Sequence, residues 1–132
     1  MFELHPLLDS NTVEISKLDV CRVLLNNDKT YPWIILVPEH EGLRDLDDLA
    51  PCERNIVMSE IDLVSKALKV IYHPYKINVA ALGNVVEQLH IHVIARFQDD
   101  PAWPDPVWGV VPATEYSLKE QNTTKQRLVA HI

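Results

Sequence analysis

Two histidines two positions apart, His90 and His92, are the side chains in this 132-residue sequence best placed to do chemistry. They fall in Gln88-Leu89-His90-Ile91-His92-Val93-Ile94-Ala95-Arg96. Read as a β-strand, this stretch sends Leu89, Ile91, Val93 and Ala95 to one face, which belongs in a core. The other face carries Gln88, His90, His92, Ile94 and Arg96, with the two imidazoles roughly 7 Å apart along the strand. A His-x-His pair on a solvated strand is often polarity and nothing more. Here an amide and a fixed positive charge share the face, and Asn84 stands in the turn that delivers the strand. That company makes the stretch a candidate site.

Neutral imidazole attacks phosphorus or acyl carbon near neutral pH when an acceptor holds its other ring nitrogen and fixes the tautomer. With His90 as nucleophile, charge developing on phosphoryl oxygens needs donors, and His92, Gln88, Asn84 and Arg96 are the candidates. This scheme demands no metal. A second reading makes His90 and His92 metal ligands completed by His40, His73, Glu39 or Glu87, although none of these stands at a recognisable ligand spacing. A third is a binding module that holds a nucleotide without turnover. A nucleotidyl-histidine adduct separates the enzyme from the module.

The elements that must position the pair read as one domain, residues 1–132, with 47% hydrophobic residues and enough chain for a single core. A net charge of −7 argues against a broad electrostatic footprint for nucleic acid or an anionic membrane, so an anionic substrate needs a local cluster. No stretch approaches the ~18 apolar residues of a membrane span. The N-terminus lacks a basic segment followed by an apolar run, so a cytoplasmic protein is expected. Cys21 and Cys52 show neither disulfide nor paired-ligand spacing and read as structural.

Residues 1–11 match neither period and read as an ordered arm. Val13 and Ile15 suggest a short strand, followed by a better one at Val20 to Leu25. Asn26 to Thr30 is a turn by composition, and the apolar run Trp33 to Val37, stopped by Pro38, reads as a central strand. Pro51 opens a helix over 51–72 in which Val57, Ile61, Val64, Leu68 and Ile71 form a buried stripe, with Ala50 as a poor cap. A strand over 77–82 and the Gly83-Asn84 turn lead into the histidine strand at 88–96. Short connections and one long helix predict an α+β fold with a mostly antiparallel sheet packed on that helix. The three glycines make no phosphate-cradling loop, which excludes a Rossmann or P-loop site. The segment 97–109, rich in proline and tryptophan, reads as an ordered loop. Its Trp103 and Trp108 either fill a groove or stack on a base and seal the site. Residues 117–132 read as a tail or a partner contact.

At these residues the sequence resembles the histidine triad (HIT) family, whose motif is His-φ-His-φ-His-φ-φ with φ apolar. The segment here is Gln88-Leu89-His90-Ile91-His92-Val93-Ile94, close to a bacterial branch that reads Gln-Leu-His-Ile-His. Asn26-Asn27-Asp28 before Pro32-Trp33, the helix start at Asp48 to Pro51, Asn78, Asn84 and the tryptophan loop fall in the family's order, over about residues 2–109. Residues 110–132 form an extension. The resemblance implies a HIT-like fold, usually a homodimer, that binds a nucleotide and cleaves its α-phosphate linkage through a covalent nucleotidyl-histidine. It implies no required cofactor, any divalent cation arriving with the nucleotide substrate. By this resemblance His90 is the nucleophile and His92 contacts the phosphate or assists the leaving group. Asn27 or Asp28 holds ribose hydroxyls, and Asn78 and Asn84 lie near the phosphate. The sequence departs from the family twice: Gln88 replaces the first histidine, and Trp33 stands where many members carry another. An amide donates and accepts but cannot change charge near pH 7. The expected substrates are mononucleotide esters, phosphoramidates or dinucleoside polyphosphates.

Overall fold

The computed structural model describes all residues 1–132. Its five strands are β1 (Thr12–Lys17), β2 (Cys21–Asn26), β3 (Trp33–Pro38), β4 (Lys76–Ala80) and β5 (Ile91–Arg96). They form one sheet in the order β1-β2-β3-β5-β4, and every neighbouring pair is antiparallel. The helices are α1 (Pro6–Asn11), α2 (Pro51–Tyr72) and α3 (Leu118–Val129). The α+β class and the predicted β2–β3 hairpin are therefore observed.

Alternation along the strands builds two cores. Val23, Leu25, Ile34, Leu36, Ile91, Val93 and Ala95 face α2, whose Val57, Ile61, Val64 and Leu68 complete the larger one. Leu24, Trp33, Ile35, Val37 and Ile94 face the other way, under α1 and the loop after β5. Strand β3 is buried along its whole length because both of its faces are covered, which is why its sequence is a continuous apolar run. The alternation leaves open what covers the histidine face. It is roofed: His90 and His92 are each 5% exposed and Arg96 is 1% exposed.

Helix α2 has the expected span, with Pro51 in its first turn and Ala50 supplying no side-chain cap. It ends on His73 in the left-handed region (φ 51°), whose N–H donates to Lys69 O, before Pro74. One residue departs from the amphipathic pattern. Glu60 is buried on α2, and its carboxylate accepts from the N–H groups of Val20 (3.1 Å) and Cys21 (2.8 Å), so the helix caps the turn between β1 and β2. Burial beside this carboxylate pushes the Cys21 thiol far up, consistent with a structural cysteine.

Three expectations change. The N-terminal arm is extended only through His5 and then forms α1, with Pro6 in its first turn and His5 Nδ1 accepting from Leu7 N. The C-terminal stretch is a helix packed on α2 and β1, opened by a Ser117/Glu120 capping box and anchored by buried Leu128. The strands flanking the Gly83-Asn84 turn are shorter than 77–82 and 88–96: residues 81–90 are a loop, and Leu89 N leaves the ladder to donate to Leu43 O (2.9 Å).

Candidate active site

His90 lies just before β5, where the chain leaves the loop, and its ring lines a cavity of about 350 Å³ with Gly83, Asn84, Val86, His92 and Trp108. Its Nδ1 is 2.6 Å from the carbonyl oxygen of Gln88. A carbonyl only accepts, so Nδ1 carries a proton; in the neutral ring the lone pair is then on Nε2, which has no protein hydrogen-bond partner and is left to the cavity. This is the tautomer a nucleophilic imidazole needs.

Gly83 backs directly onto that ring. A Cβ there would stand 2.6 Å from Val86 O and 3.0 Å from His90 Cε1, closer than packed atoms sit, so the missing side chain is what admits the imidazole. Gly83→Ala is expected to rotate His90 away from Gln88 O and to cost about 10²-fold in kcat, the scale of a misplaced reacting group, with the fold retained. Steady-state kinetics beside a thermal melt check this.

His92 is held at both nitrogens. Trp33 Nε1–H donates to its Nδ1 (3.0 Å), which leaves the ring proton on Nε2 to be donated to Leu82 O (3.0 Å). Burial lowers its pKa to about 4, aided by the neighbouring His90 and only partly offset by the Leu82 carbonyl, so the ring is neutral near pH 7. Trp108 meets both ends of this chain edge-on, with ring centroids 5.7 Å from Trp33 and 5.0 Å from His92. The His90 and His92 rings lie 5.0 Å apart. With both nitrogens of His92 engaged, the pair cannot chelate an ion, and His40, His73, Glu39 and Glu87 form no ligand cluster with it. In this arrangement His90 Nε2 is the one imidazole nitrogen of the pair without a protein partner.

The other residues singled out from the sequence are dispersed. Asn84 lines the cavity, but Arg96 does not reach it: its guanidinium donates to both carboxylate oxygens of Asp100 (2.8 and 3.1 Å), to Asn78 Oδ1 (2.8 Å) and to Asp105 O (2.8 Å). Desolvation alone would raise the Asp100 carboxyl, but Arg96 and three backbone N–H groups hold it down at about 2. Arg96 and Asn78 thus brace the tryptophan loop and are not placed to touch substrate. Trp103 packs against Tyr75 and the Arg96 guanidinium, away from the histidines, so the tryptophan at the site is Trp108. Gln88 spends its amide on the N-terminal arm. Asn27 and Asp28 line a separate cleft with Ser10 and Asn11, and their side chains accept from the N–H groups of Tyr116 and Thr114. The alternation assigned His90 and His92 to one face of the strand but could not show what covers it.

The same fold recurs in known proteins. A HIT domain family model matches residues 9–99. The structure superimposes on a histidine triad protein from Bradyrhizobium japonicum with a TM-score of 0.96 at 40% identity, covering 99% of this chain and 98% of that one. A histidine triad protein from Sinorhizobium meliloti gives 0.96 at 38% (99% and 97% covered), and one from Marinobacter aquaeolei 0.95 at 42% (97% and 93%). No curated protein matches the sequence. The fold is HIT-like, and the chain belongs to the HIT family. That membership supports a nucleotide-binding, hydrolase-type function in general terms. No helix is long and apolar enough to cross a membrane.

Proposed function

We propose that this protein is a nucleotide hydrolase or nucleotidyl transferase that cleaves the α-phosphate linkage of a mononucleotide ester, phosphoramidate or dinucleoside polyphosphate through a nucleotidyl-His90 intermediate. The observation that carries the reading is the state of His90, with Nδ1–H held by the Gln88 carbonyl and Nε2 facing the cavity. Nε2 bonds to the α-phosphorus as the bond to the leaving group breaks, and the leaving group takes a proton from water. As positive charge builds on the imidazole, the Gln88 carbonyl stabilises the Nδ1–H. Water then displaces the histidine and releases the mononucleotide. In this reading Asn84, which lines the cavity, donates to the phosphoryl oxygens, and the leaving group exits over Gly83 and Asn84 into the polar cleft those residues share with Arg44, Asp45 and Glu87. His92 serves this step as a neutral ring fixed by Trp33 and Leu82 O, since its proton is already committed.

The reading extends to a cytoplasmic homodimer. Strand β4 is an edge of the sheet and its Val79 is exposed, as a strand contacting a second copy would be. No cofactor is required.

A panel of nucleoside 5′-phosphoramidates and dinucleoside polyphosphates, assayed with and without EDTA, tests the proposal. Mononucleotide release from at least one class, at a rate EDTA does not change, is expected. Saturable nucleotide binding without release would make the protein a binding module. Activity abolished by EDTA on every substrate would return the metal reading.

A further inference from the structure

We infer that the Gln88 side chain is a positioning residue for His90, acting as a two-bond latch that ties the N-terminal arm to the peptide on which the His90 tautomer depends. The inference rests on the reading of His90 as nucleophile and adds a residue that the motif alone leaves without a role. Gln88 Oε1 accepts from His5 N (2.8 Å), and Gln88 Nε2 donates to Glu3 O (2.8 Å). Acceptor and donor of one amide thus match the C=O and N–H of residues two apart on an extended chain, the same pairing a neighbouring strand would offer.

The latch matters because of what surrounds it. Residues 88–90 lie outside the β5 ladder, so no sheet hydrogen bond orients the peptide between Gln88 and Leu89. That peptide is held by Leu89 N donating to Leu43 O, and its carbonyl is the acceptor of the His90 Nδ1–H. The amide of Gln88 supplies the remaining anchor. The arm it grips is itself fixed, with Phe2 and Leu4 packed on the core beneath the site and Phe2 under the Arg22 guanidinium. Histidine at position 88 could not close the latch, because the two nitrogens of an imidazole diverge across the ring and cannot serve adjacent backbone groups side by side. The amide in place of the family's first histidine is therefore an architectural substitution.

Two variants test the latch. Gln88→Met keeps the length and removes both bonds. Gln88→Glu keeps the shape but sets a carboxylate oxygen against Glu3 O. Each is labelled with ¹⁵N-histidine, its ring nitrogens are read by long-range ¹H–¹⁵N correlation at alkaline pH, and folding is confirmed by thermal melting. Wild type is expected to show His90 wholly as the Nδ1–H form. Both variants are expected to show a tautomer mixture and faster exchange of the His5 amide. Their kcat on a nucleoside phosphoramidate should fall roughly 10-fold with KM little changed, as expected when a reacting group loses its orientation. A pure Nδ1–H tautomer in both variants overturns the latch, and so does mixed tautomer with undiminished kcat. If wild type itself hydrolyses nothing while the variants still scramble the tautomer, the latch stands and the proposed function falls.

Discussion

His90→Ala is expected to lower turnover of any accepted nucleotide substrate by at least about 10³-fold while the protein remains folded. The substitution removes the only group in the cavity with an uncommitted lone pair on a pre-oriented ring, because both nitrogens of His92 are already bonded. Water attacking in its place would still find the nucleotide bound beside Asn84, so a residual rate should persist. Stability should change little. The ring makes one hydrogen bond, to Gln88 O, and losing a single such bond costs about 1 kcal/mol. Kinetics and a melting curve on the same preparation separate a chemical loss from an unfolded one.

The second large effect falls on stability. Arg96→Ala is expected to cost about 3–5 kcal/mol, because it leaves the Asp100 carboxylate, 5% exposed, without its counter-charge, and strands Asn78 Oδ1 and Asp105 O. For a chain of this size that corresponds to a fall in Tm of roughly 10–20 °C. Arg96→Lys should not rescue it, since one ammonium cannot reach acceptors on three residues in the geometry a guanidinium spans. Activity should fall as well. The guanidinium sits over the rings of Tyr31 and Trp103 and fastens the loop that carries Trp108 against His92. A melting temperature within about 3 °C of wild type would show that the Arg96–Asp100 pair does not hold that loop.

How far this site could be read beforehand follows from what alternation encodes. Period two along 89–95 assigned each side chain to its face correctly, and the four-three spacing of Val57 to Leu68 located α2, because both patterns are local. Neither pattern says what lies above a face. Arg96 therefore looked like a substrate contact when its partners, Asp100 and Asp105, come from the loop that folds back over it. Gln88 looked like a site amide, yet its partners are more than eighty residues away at Glu3 and His5. Glu60 gave no signal, since a glutamate inside a helix reads as solvated until the β1–β2 turn supplies two N–H donors. Trp33 offered the clearest missed clue: a buried indole N–H needs an acceptor, and the residue standing in for a family histidine bonds a histidine of the motif. The Ser117/Glu120 capping box was likewise visible and would have turned the expected tail into a helix.

The central claim is that the Nε2 of His90 forms a bond to the nucleotide. Wild-type protein quenched in alkali during turnover of a nucleoside 5′-phosphoramidate, then digested and mapped by mass spectrometry, reads this directly. A nucleotidyl mass confined to the peptide bearing His90, and absent from His90→Ala, is the expected result. Active turnover with no adduct on that peptide, or with the adduct on another residue, would contradict it.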